Sequence, residues 1–486
     1  MRIEAPSHSA NSTHAGALPQ KTILPNVSPH HRLMSRLRFI PLTFLLSACA
    51  VTQQYSIHAG TLLDGTGSPA HHDLYLTVQD GRISAISATR PRNIPLKQFT
   101  SDTIMPGFVD AHGHISMIGL GEETDERLVS ANNREQWALC NARDALASGV
   151  TTLRDPGAYL WTLALRARIE ATGLRWFTAG RQLVKKAPNA YMDDSFVEFD
   201  GVADARAQVR ARKREGSEFI KLRLTKQRPL PTVDETRAIV DEAHLLGMKV
   251  AVHIDIPFDE AVHLAVVAGA DSLEHNAPLR VADSGKTFSE IVRRGIIVVP
   301  GISNWVAHFE PLWVDPKQIP EEPLRSKLPA ALLGAMQFHA EELRQQDLES
   351  EKNGSDPRNR RIELRAETLR AFNAGVLLAA GPDSGVDLMP HGRLYKDIEW
   401  YVESGIPIEK VVQIATLNGA RAAGIEKETG SLEIGKAADI VVLRGDLTKN
   451  AMAFQQVALV IRAGRVVFDA SQKWVPCAID GPTPKQ

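Results

Sequence analysis

The chain has 486 residues, a formal net charge of −1 and 43% hydrophobic residues. This length and composition suit one large globular unit or two smaller ones, and the balanced charge argues against a nucleic-acid partner. Three cysteines, Cys49, Cys140 and Cys477, are too few for a disulfide framework or a cysteine-rich zinc site. Any metal ion must therefore be held by nitrogen and oxygen ligands.

The first 49 residues change character at Met34. Residues 1–33 are polar and have no periodic apolar pattern, so we predict a disordered or non-native upstream extension. Residues 34–49, "MSRLRFIPLTFLLSAC", combine basic residues, a short apolar stretch and small residues, which is the layout of a secretory signal peptide. The alternative is a buried apolar stretch of an ordinary N-terminal domain.

The end of this segment, "LSAC", resembles the lipobox of bacterial lipoproteins. The resemblance implies lipidation of Cys49 and a periplasmic protein with a lipid anchor in a bacterial membrane. Ala50 is not an acidic retention residue, which favours the outer membrane.

Two β-rich segments flank the chain. "DLYLTVQDGRISAIS" near the start and "LVIRAGRVVFDA" near the end are short strands joined by turns, with Asp-Gly at turn positions of the first segment. We predict that residues 50–104 and 430–475 form one small composite β-sandwich domain, followed by a tail at 476–486.

Residues 105–429 alternate short apolar runs with helical stretches, and about eight strands can be counted. This pattern predicts an α/β fold, a (β/α)8 TIM barrel, with a charged helical insertion at about 310–364 in the position of a lid. The alternative is an open doubly wound sheet, but no Gly-x-Gly-x-x-Gly follows a strand.

The predicted strand ends carry an unusual set of side chains. Because residues two apart share one face of a strand, His112 and His114 can bind one metal ion, although a lone His-x-His is as often structural. The other strand ends carry Lys221, His253, His275 and Asp383. Imidazole and carboxylate are ligands that suit zinc and similar divalent ions. A lysine buried among them would be pushed toward its neutral form.

The ordered motifs "MPGFVDAHGHI", "GVTTLRDPG", "FIKLRL", "VAVHI", "SLEHN", "AAGPDSG", "ATLNGARAAGI" and "GSLEIGKAADIVVL" resemble the amidohydrolase superfamily. Within it, the chain is most similar to prolidase-like and imidazolonepropionase-like hydrolases with two metal ions, several of which are metallo-dipeptidases. The resemblance covers nearly all of the chain after Tyr55.

The resemblance implies a role for each strand-end residue. His112, His114 and Asp383 would hold the first metal ion, His253 and His275 the second, and Lys221, carboxylated by carbon dioxide, would bridge them. A bridging hydroxide would be the nucleophile, with Asp383 passing its proton to the leaving amine. Zinc is the expected metal, although manganese, cobalt or iron could replace it.

Two departures from the family pattern concern the substrate. A Gly-Gly-His-Gly stretch common in related sequences is replaced by "AGRQLVKKAPNAYMDD", and Arg223 stands where a small or apolar residue is expected. We expect Arg223 to clamp an anionic group such as a carboxylate, or else to pair with Asp255. Three further candidates for substrate contact lie in loops after strands: Arg181, Tyr191 and His391.

These observations predict a metal-dependent hydrolase of amide bonds, acting on dipeptides or N-acyl amino acids. A lactone or phosphotriester hydrolase on the same metal site is the alternative, and a non-catalytic barrel lipoprotein is a further one. The sequence leaves the oligomeric state open, a homo-oligomer included.

Overall fold

The computed structural model describes residues 54–117, 133–188, 190, 192–254, 258–302, 341, 345, 349, 352, 357–386 and 389–473. The predicted upstream extension, the signal peptide with Cys49, the C-terminal tail, Tyr191, Asp255 and most of the insertion at 310–364 lie outside these residues. Predictions on those segments therefore stay predictions.

One mixed sheet takes strands from both flanks of the chain. In chain order these are β1 (Gln54–Leu62), β2 (His71–Gln79), β3 (Arg82–Ser87), β4 (Leu96–Pro106), β15 (Ile440–Leu443), β16 (Val457–Arg462) and β17 (Arg465–Asp469). Their order in the sheet is β17-β16-β15-β4-β1-β2-β3. Strand β4 joins the two flanks, because it pairs in parallel with β1 and antiparallel with β15. That this sheet forms a separate β-sandwich domain stays a prediction.

The Asp-Gly turn predicted between β2 and β3 is present. Asp80 and Gly81 both have positive φ, 50° and 80°. Such a pair matches the right-handed twist of a two-residue hairpin. A Cβ atom on Gly81 would lie 2.7 Å from the carbonyl oxygen of Ala463, so the turn also needs glycine for close approach.

The middle of the chain forms parallel strands. They are β5 (Phe108–Asp110), β6 (Val150–Asp155), β7 (Arg175–Thr178), β8 (Gln182–Lys185), β9 (Phe196–Phe199), β10 (Ile220–Leu224), β11 (Val250–Ile254), β12 (Ser272–Glu274), β13 (Ile297–Val299) and β14 (Leu377–Leu378). They fall into two sheets, β5-β6-β7 and β14-β13-β12-β11-β10-β8-β9. The predicted α/β class with a parallel sheet is confirmed.

The barrel is TIM-barrel-like, but in the part of the chain that the structure describes its strands do not form one continuous hydrogen-bonded ring. Backbone hydrogen bonds outside the strand ladders cross the two gaps. Near β5 and β14, Ala111 N donates to Ala380 O and Asp383 N donates to His112 O, and at the end of β7, Glu218 N donates to Thr178 O, all at 2.9 Å. The ladder is interrupted because β14 has only two residues and β10 pairs with the additional strand β8. The closed eight-stranded barrel of the prediction is corrected to this arrangement.

Helices connect the parallel strands and cover the outside of the sheets. They are α1 (Arg134–Ala147), α2 (Arg166–Ala171), α3 (Val202–Glu215), α4 (Val233–Leu245), α5 (Phe258–Ala268), α6 (Ser284–Arg294), α7 (Pro357–Asn373), α8 (Leu394–Glu403), α9 (Ile408–Ala415) and α10 (Leu417–Ala423). Among these described helices, none combines the length and apolar character needed to cross a bilayer.

Helix α4 begins with a capping box. The Thr232 side chain accepts from Glu235 N, and the Glu235 carboxylate accepts from Thr232 N at 2.9 Å. The same carboxylate accepts from Lys185 Nζ at 2.7 Å and from Gly201 N at 2.8 Å. Burial alone would raise the pKa of Glu235, yet these hydrogen bonds lower it to about 2. The carboxylate thus joins the start of α4 to β8 and to the start of α3.

Candidate metal centre

The His-x-His motif lies just beyond β5, which ends at Asp110. The Nε2 atoms of His112 and His114 lie 3.4 and 3.1 Å from Oδ1 of Asp383. The Asp110 side chain accepts hydrogen bonds from His112 N and from Ser384 Oγ. The buried carboxyl group of Asp110, whose pKa burial raises to about 8, thus fixes the first histidine relative to the segment that carries Asp383.

Two of the predicted ligands adopt a backbone conformation that non-glycine residues seldom take. His275, directly after β12, has φ 65°, and Asp383, after β14, has φ 64°. Such conformations cost free energy and persist only where the surroundings enforce them. Here the backbone N–H of His275 donates to Val299 O at 2.8 Å, and that of Asp383 donates to His112 O at 2.9 Å. Hydrogen bonds to β13 and to the segment after β5 therefore hold the backbone of both residues in place.

His275 and His253 lie beside this contact and complete the cluster. His275 Nδ1 lies 3.9 Å from Asp383 Oδ2, and the His253 ring centroid is 4.3 Å from that of His275. One donor atom each from His112, His275 and Asp383 lies within 4.8 Å of the other two. His275 Nε2 is buried and has no hydrogen-bond partner among the residues that the structure describes. A buried polar atom of this kind fits a ligand that is bound there.

The outward nitrogens of the His-x-His pair are already committed. His112 Nδ1 is 2.7 Å from Glu274 Oε2, and His114 Nδ1 is 2.8 Å from the carbonyl oxygen of Gly157. Both partners only accept, so each Nδ1 carries a proton, and each ring, when it is neutral, presents an Nε2 lone pair to Asp383. Both Nε2 atoms lie at about hydrogen-bond distance from one carboxylate oxygen, so a proton or a metal ion must supply a positive charge between nitrogen and oxygen. The donor set therefore fits a bound divalent metal ion.

The protonation states agree with this geometry. Burial, together with the positive charge of Lys221, lowers the pKa of His112 to about 3, and burial lowers that of His275 to about 4. Burial also holds the pKa of His253 well below 6.5. For Asp383, burial would raise the pKa, but the adjacent histidines hold it well below 3.8. Neutral imidazoles and an ionised carboxylate are the forms that bind metal ions.

His114 differs from the other histidines. Burial would lower its pKa, yet the hydrogen bond and negative charge of Asp383 raise it above 6.5. The structure therefore favours a positive charge at the His114–Asp383 contact, a charge that either a proton or a metal ion supplies.

Lys221 is a fully buried lysine beside this cluster, with 1% of its surface exposed. It lies on β10 opposite Ala251 of β11. Burial lowers its pKa to about 8, although the negative charges of Glu274 and Asp383 oppose this shift. The neutral amine, which is the form that reacts with carbon dioxide, is thereby easier to reach than in an exposed lysine. Carboxylation of Lys221 and the binding of two metal ions stay predictions.

Two residues of this site escaped the sequence reasoning. Glu274 accepts the Nδ1–H of His112, and Arg154 donates to Glu274 Oε1 from both terminal nitrogens at 3.1 Å. Neither side chain is exposed. Each is a charged residue in a strand that is otherwise buried, in "TTLRD" and "SLEHN". Charged residues are seldom buried unless they are paired, so a charge at such a position was the available signal.

The predicted substrate-binding residues lie in different surroundings. Arg223 is half-buried at the end of β10, and its guanidinium carbon lies 5.4 Å from the ring centroid of Phe196. It is close enough to the cluster to help lower the pKa of His253. The alternative pairing with Asp255 concerns a residue outside the described part, so both interpretations of Arg223 stay open.

The other candidates contact protein groups. Arg181 forms an ion pair with Glu215 of α3 at 2.5 Å. His391 is buried, and its Nε2–H donates to His114 O at 2.9 Å, so it supports the backbone of a predicted ligand. Substrate contact by either residue stays a prediction.

Comparisons with known proteins give matches of two kinds. Among curated proteins, an imidazolonepropionase of Symbiobacterium thermophilum is 38% identical over 68 residues, which are 13% of this chain and 16% of that protein. A 5-methylthioadenosine/S-adenosylhomocysteine deaminase of Desulforudis audaxviator is 32% identical over 113 residues, 21% of this chain and 26% of that protein. The matched segments thus span about a quarter or less of these relatives.

Solved structures match over far more of the chain. A Xaa-Pro dipeptidase with bound methionine in the active site is 25% identical, with a TM-score of 0.66 over 85% of this chain and 99% of that one. The A. niger ochratoxinase shares the fold at 20% identity, with a TM-score of 0.65 over 89% of this chain and 99% of that one.

The sequence profile of the amidohydrolase family matches residues 103–467. This range is about three quarters of the chain and includes every residue of the metal centre described above. The chain therefore belongs to the amidohydrolase family.

Proposed function

We propose that this protein is a metal-dependent hydrolase that cleaves amide C–N bonds of dipeptides or N-acyl amino acids. The observation that carries the proposal is that His112 Nε2 and His114 Nε2 lie 3.4 and 3.1 Å from Asp383 Oδ1, while the Nδ1 protons of both rings are hydrogen bonded to outward partners. With neutral imidazoles, such a set of atoms fits a divalent cation. Its position at the ends of parallel strands is where barrel enzymes carry their active sites.

Five side chains and a modified lysine would hold two divalent ions, with zinc expected. His112, His114 and Asp383 are placed around one point, and His253 and His275 lie beside it. When bound, such ions supply an activated water at neutral pH and polarise the substrate carbonyl. Lys221, as a carbamate formed with carbon dioxide, would contribute the further oxygen ligands.

Asp383 is the group that moves the proton. It is ionised, it lies between the imidazoles, and its Oδ1 faces the point where the donor atoms meet. A carboxylate there accepts the proton of the attacking water and then delivers it to the leaving amine nitrogen. His112 and His114 cannot take this proton, because their Nε2 atoms are turned to the metal position and their Nδ1 atoms are hydrogen bonded.

The substrate class rests on two supports. The chain resembles a Xaa-Pro dipeptidase over 85% of its length at 25% identity. Arg223 brings a guanidinium to the end of β10, and its planar pair of donors suits a carboxylate such as the free terminus of a dipeptide. The short matches to deaminases agree with hydrolysis of a C–N bond in general.

A substrate panel tests this proposal. The zinc-loaded protein is assayed against dipeptides and N-acyl amino acids, the same compounds as C-terminal amides, and cyclic amides, lactones, phosphotriesters and an aminopurine nucleoside. We expect turnover that requires a free carboxylate and disappears after metal removal by a chelator. Turnover only of lactones, phosphotriesters or the nucleoside would reassign the substrate class, and no turnover of any substrate would contradict the proposal.

A matched pair of variants then separates substrate binding from chemistry. Arg223→Met should raise KM for dipeptides and leave KM for their amides unchanged, because only the first group has a carboxylate to clamp. Arg181→Met is the control, since Arg181 already pairs with Glu215. An unchanged KM for both substrate groups in Arg223→Met would favour the ion-pair interpretation of Arg223.

We further propose that the protein is a periplasmic lipoprotein anchored through Cys49. The support is the signal-like segment 34–49 with "LSAC" at its end. Mass spectrometry of the mature protein from a bacterial membrane fraction should find a lipid-modified N-terminal Cys49. A peptide from residues 1–33 in that sample would contradict the proposal.

A further inference from the structure

A buried ion pair lies next to the metal centre, and the proposed reaction does not use it directly. Arg154, on β6, donates to Glu274 Oε1, on β12, from both Nη atoms at 3.1 Å. Both side chains are fully buried. An ion pair in this environment pays a large desolvation cost, so it contributes little to stability beyond a well-packed apolar pair. Its presence therefore calls for another purpose.

Arg154 is itself held rigidly. Its Nη1 also donates to the carbonyl oxygen of Ala111 at 2.8 Å, its Nη2 donates to Ser272 Oγ at 2.8 Å, and the guanidinium lies 4.5 Å from the ring centroid of Phe219. The contact with Ala111 is made directly before His112 in the chain. One guanidinium thus fixes both the backbone in front of His112 and the carboxylate that meets its ring.

The two oxygens of Glu274 have separate tasks. Oε1 receives Arg154 and the hydroxyl of Ser272, while Oε2 faces His112 Nδ1 at 2.7 Å. Because Oε2 can only accept, it keeps the proton on Nδ1 and leaves the Nε2 lone pair of His112 for a metal ion.

We propose that Arg154 is a positioning residue of the metal centre: by anchoring Glu274 through Oε1, it fixes His112 as an Nε2 ligand. This inference deepens the proposed function and rests on it, because it assumes that His112 binds metal. It predicts that the zinc affinity of a Glu274→Gln variant depends on whether the oxygen or the NH2 group of the new amide faces His112.

In Glu274→Gln, the donors of Arg154 attract the amide oxygen to the Oε1 position. The amide NH2 then faces His112 Nδ1 and donates to it, which moves the ring proton to Nε2 and blocks the lone pair. Metal affinity should fall by at least about 100-fold, the upper end of what supporting residues usually contribute. In the double variant Arg154→Met/Glu274→Gln, the amide can turn its oxygen to His112, so about 10-fold of that affinity should return.

The experiment measures Zn²⁺ binding to the full chain by competition with a chromophoric chelator. Circular dichroism and thermal unfolding of the metal-free proteins are recorded in parallel. The set is the wild type, Arg154→Met, Glu274→Gln, the double variant, and Arg175→Met as control. Arg175 is a half-buried arginine at the start of β7 that pairs with buried Asp439 at 2.8 Å, so its loss should lower stability and leave zinc affinity unchanged.

The expected order of zinc affinity is wild type, double variant, then Glu274→Gln. A double variant that binds zinc no better than Glu274→Gln, or single variants that bind as tightly as the wild type, would overturn the inference. If Arg154→Met alone fails to fold, the double variant still decides, because it leaves no unpaired buried charge. A wild type that binds no zinc would instead contradict the proposed function.

Discussion

The loop that carries His114 depends on one buried carboxylate, and its removal is the most direct test of the site's construction. Asp155, at the end of β6, is fully buried. Its Oδ2 accepts from Ile115 N at 3.2 Å and from Trp176 Nε1 at 3.0 Å, and its Oδ1 accepts from Gly157 N at 3.0 Å. The substitution Asp155→Asn keeps the shape and replaces one acceptor by an NH2 group.

The structure sets the size of the effect. In one orientation the new NH2 group faces only Gly157 N, so one donor loses its acceptor. In the other orientation it faces both Ile115 N and Trp176 Nε1, so two donors lose theirs. Each buried donor without an acceptor costs about 1–3 kcal/mol. The protein takes the cheaper orientation, so we expect the free energy of unfolding to fall by about 1–3 kcal/mol.

Urea unfolding followed by tryptophan fluorescence and by circular dichroism measures this change in the metal-free protein. Asp73→Asn is the matched control, since the Asp73 side chain on β2 is 83% exposed, and its substitution should change stability by less than about 0.5 kcal/mol. Equal stability of Asp155→Asn and the wild type would refute the reasoning. Zinc affinity should also fall, because Gly157 O accepts from His114 Nδ1.

Three further predictions concern other parts of the molecule. Lys221→Met should lower kcat/KM for the best substrate of the panel by more than about 100-fold, which exceeds the usual effect of losing a residue that only supports a ligand. The zinc content of the variant, measured in parallel, should also drop. A fully active variant would exclude the carbamate. Glu235→Gln should destabilise the protein at pH 7 by about 1–2 kcal/mol. Because the folded pKa of Glu235 is lowered from 4.5 to about 2, its contribution is complete above pH 4.5 and is lost as the pH falls toward 2. Thermal unfolding of both proteins across that range should show their difference shrinking only below pH 4.5. Gly381→Ala should destabilise by about 1–3 kcal/mol or more, because its Cβ would lie 2.6 Å from His112 N; Gly285→Ala in α6, where the nearest atom is 3.8 Å away, should be neutral or stabilising in the same assay.

The sequence by itself determined the chemistry of the site and the order of its elements. The donor atoms are side-chain properties, and parallel strands place their carboxyl ends at one edge, so His112, His253, His275 and Asp383 were expected to meet. The sequence likewise predicted that Lys221 is buried among the strand-end residues, and the structure leaves 1% of it exposed.

The tertiary structure alone decided how those donors are aimed. The prediction that His112 and His114 share a face of a strand does not describe their positions, because β5 ends at Asp110 and both rings are oriented by distant acceptors. The hydrogen bond between His112 and Glu274 spans 162 positions of sequence, and the ion pair of Glu274 with Arg154 spans 120. No local pattern encodes contacts of that range, since they arise only when separate strands pack side by side.

The same reason explains the remaining differences. Arg181 follows β7 in a loop, and only the packing of α3 against it supplies Glu215 as its partner. The positive φ of His275 and Asp383 accompanies backbone hydrogen bonds that these residues donate to Val299 of β13 and to His112 beyond β5, and it has no signature in their side chains. Residue type thus fixes which groups can bind a metal ion, whereas the direction of each lone pair and the location of each proton follow from contacts between elements far apart in the chain.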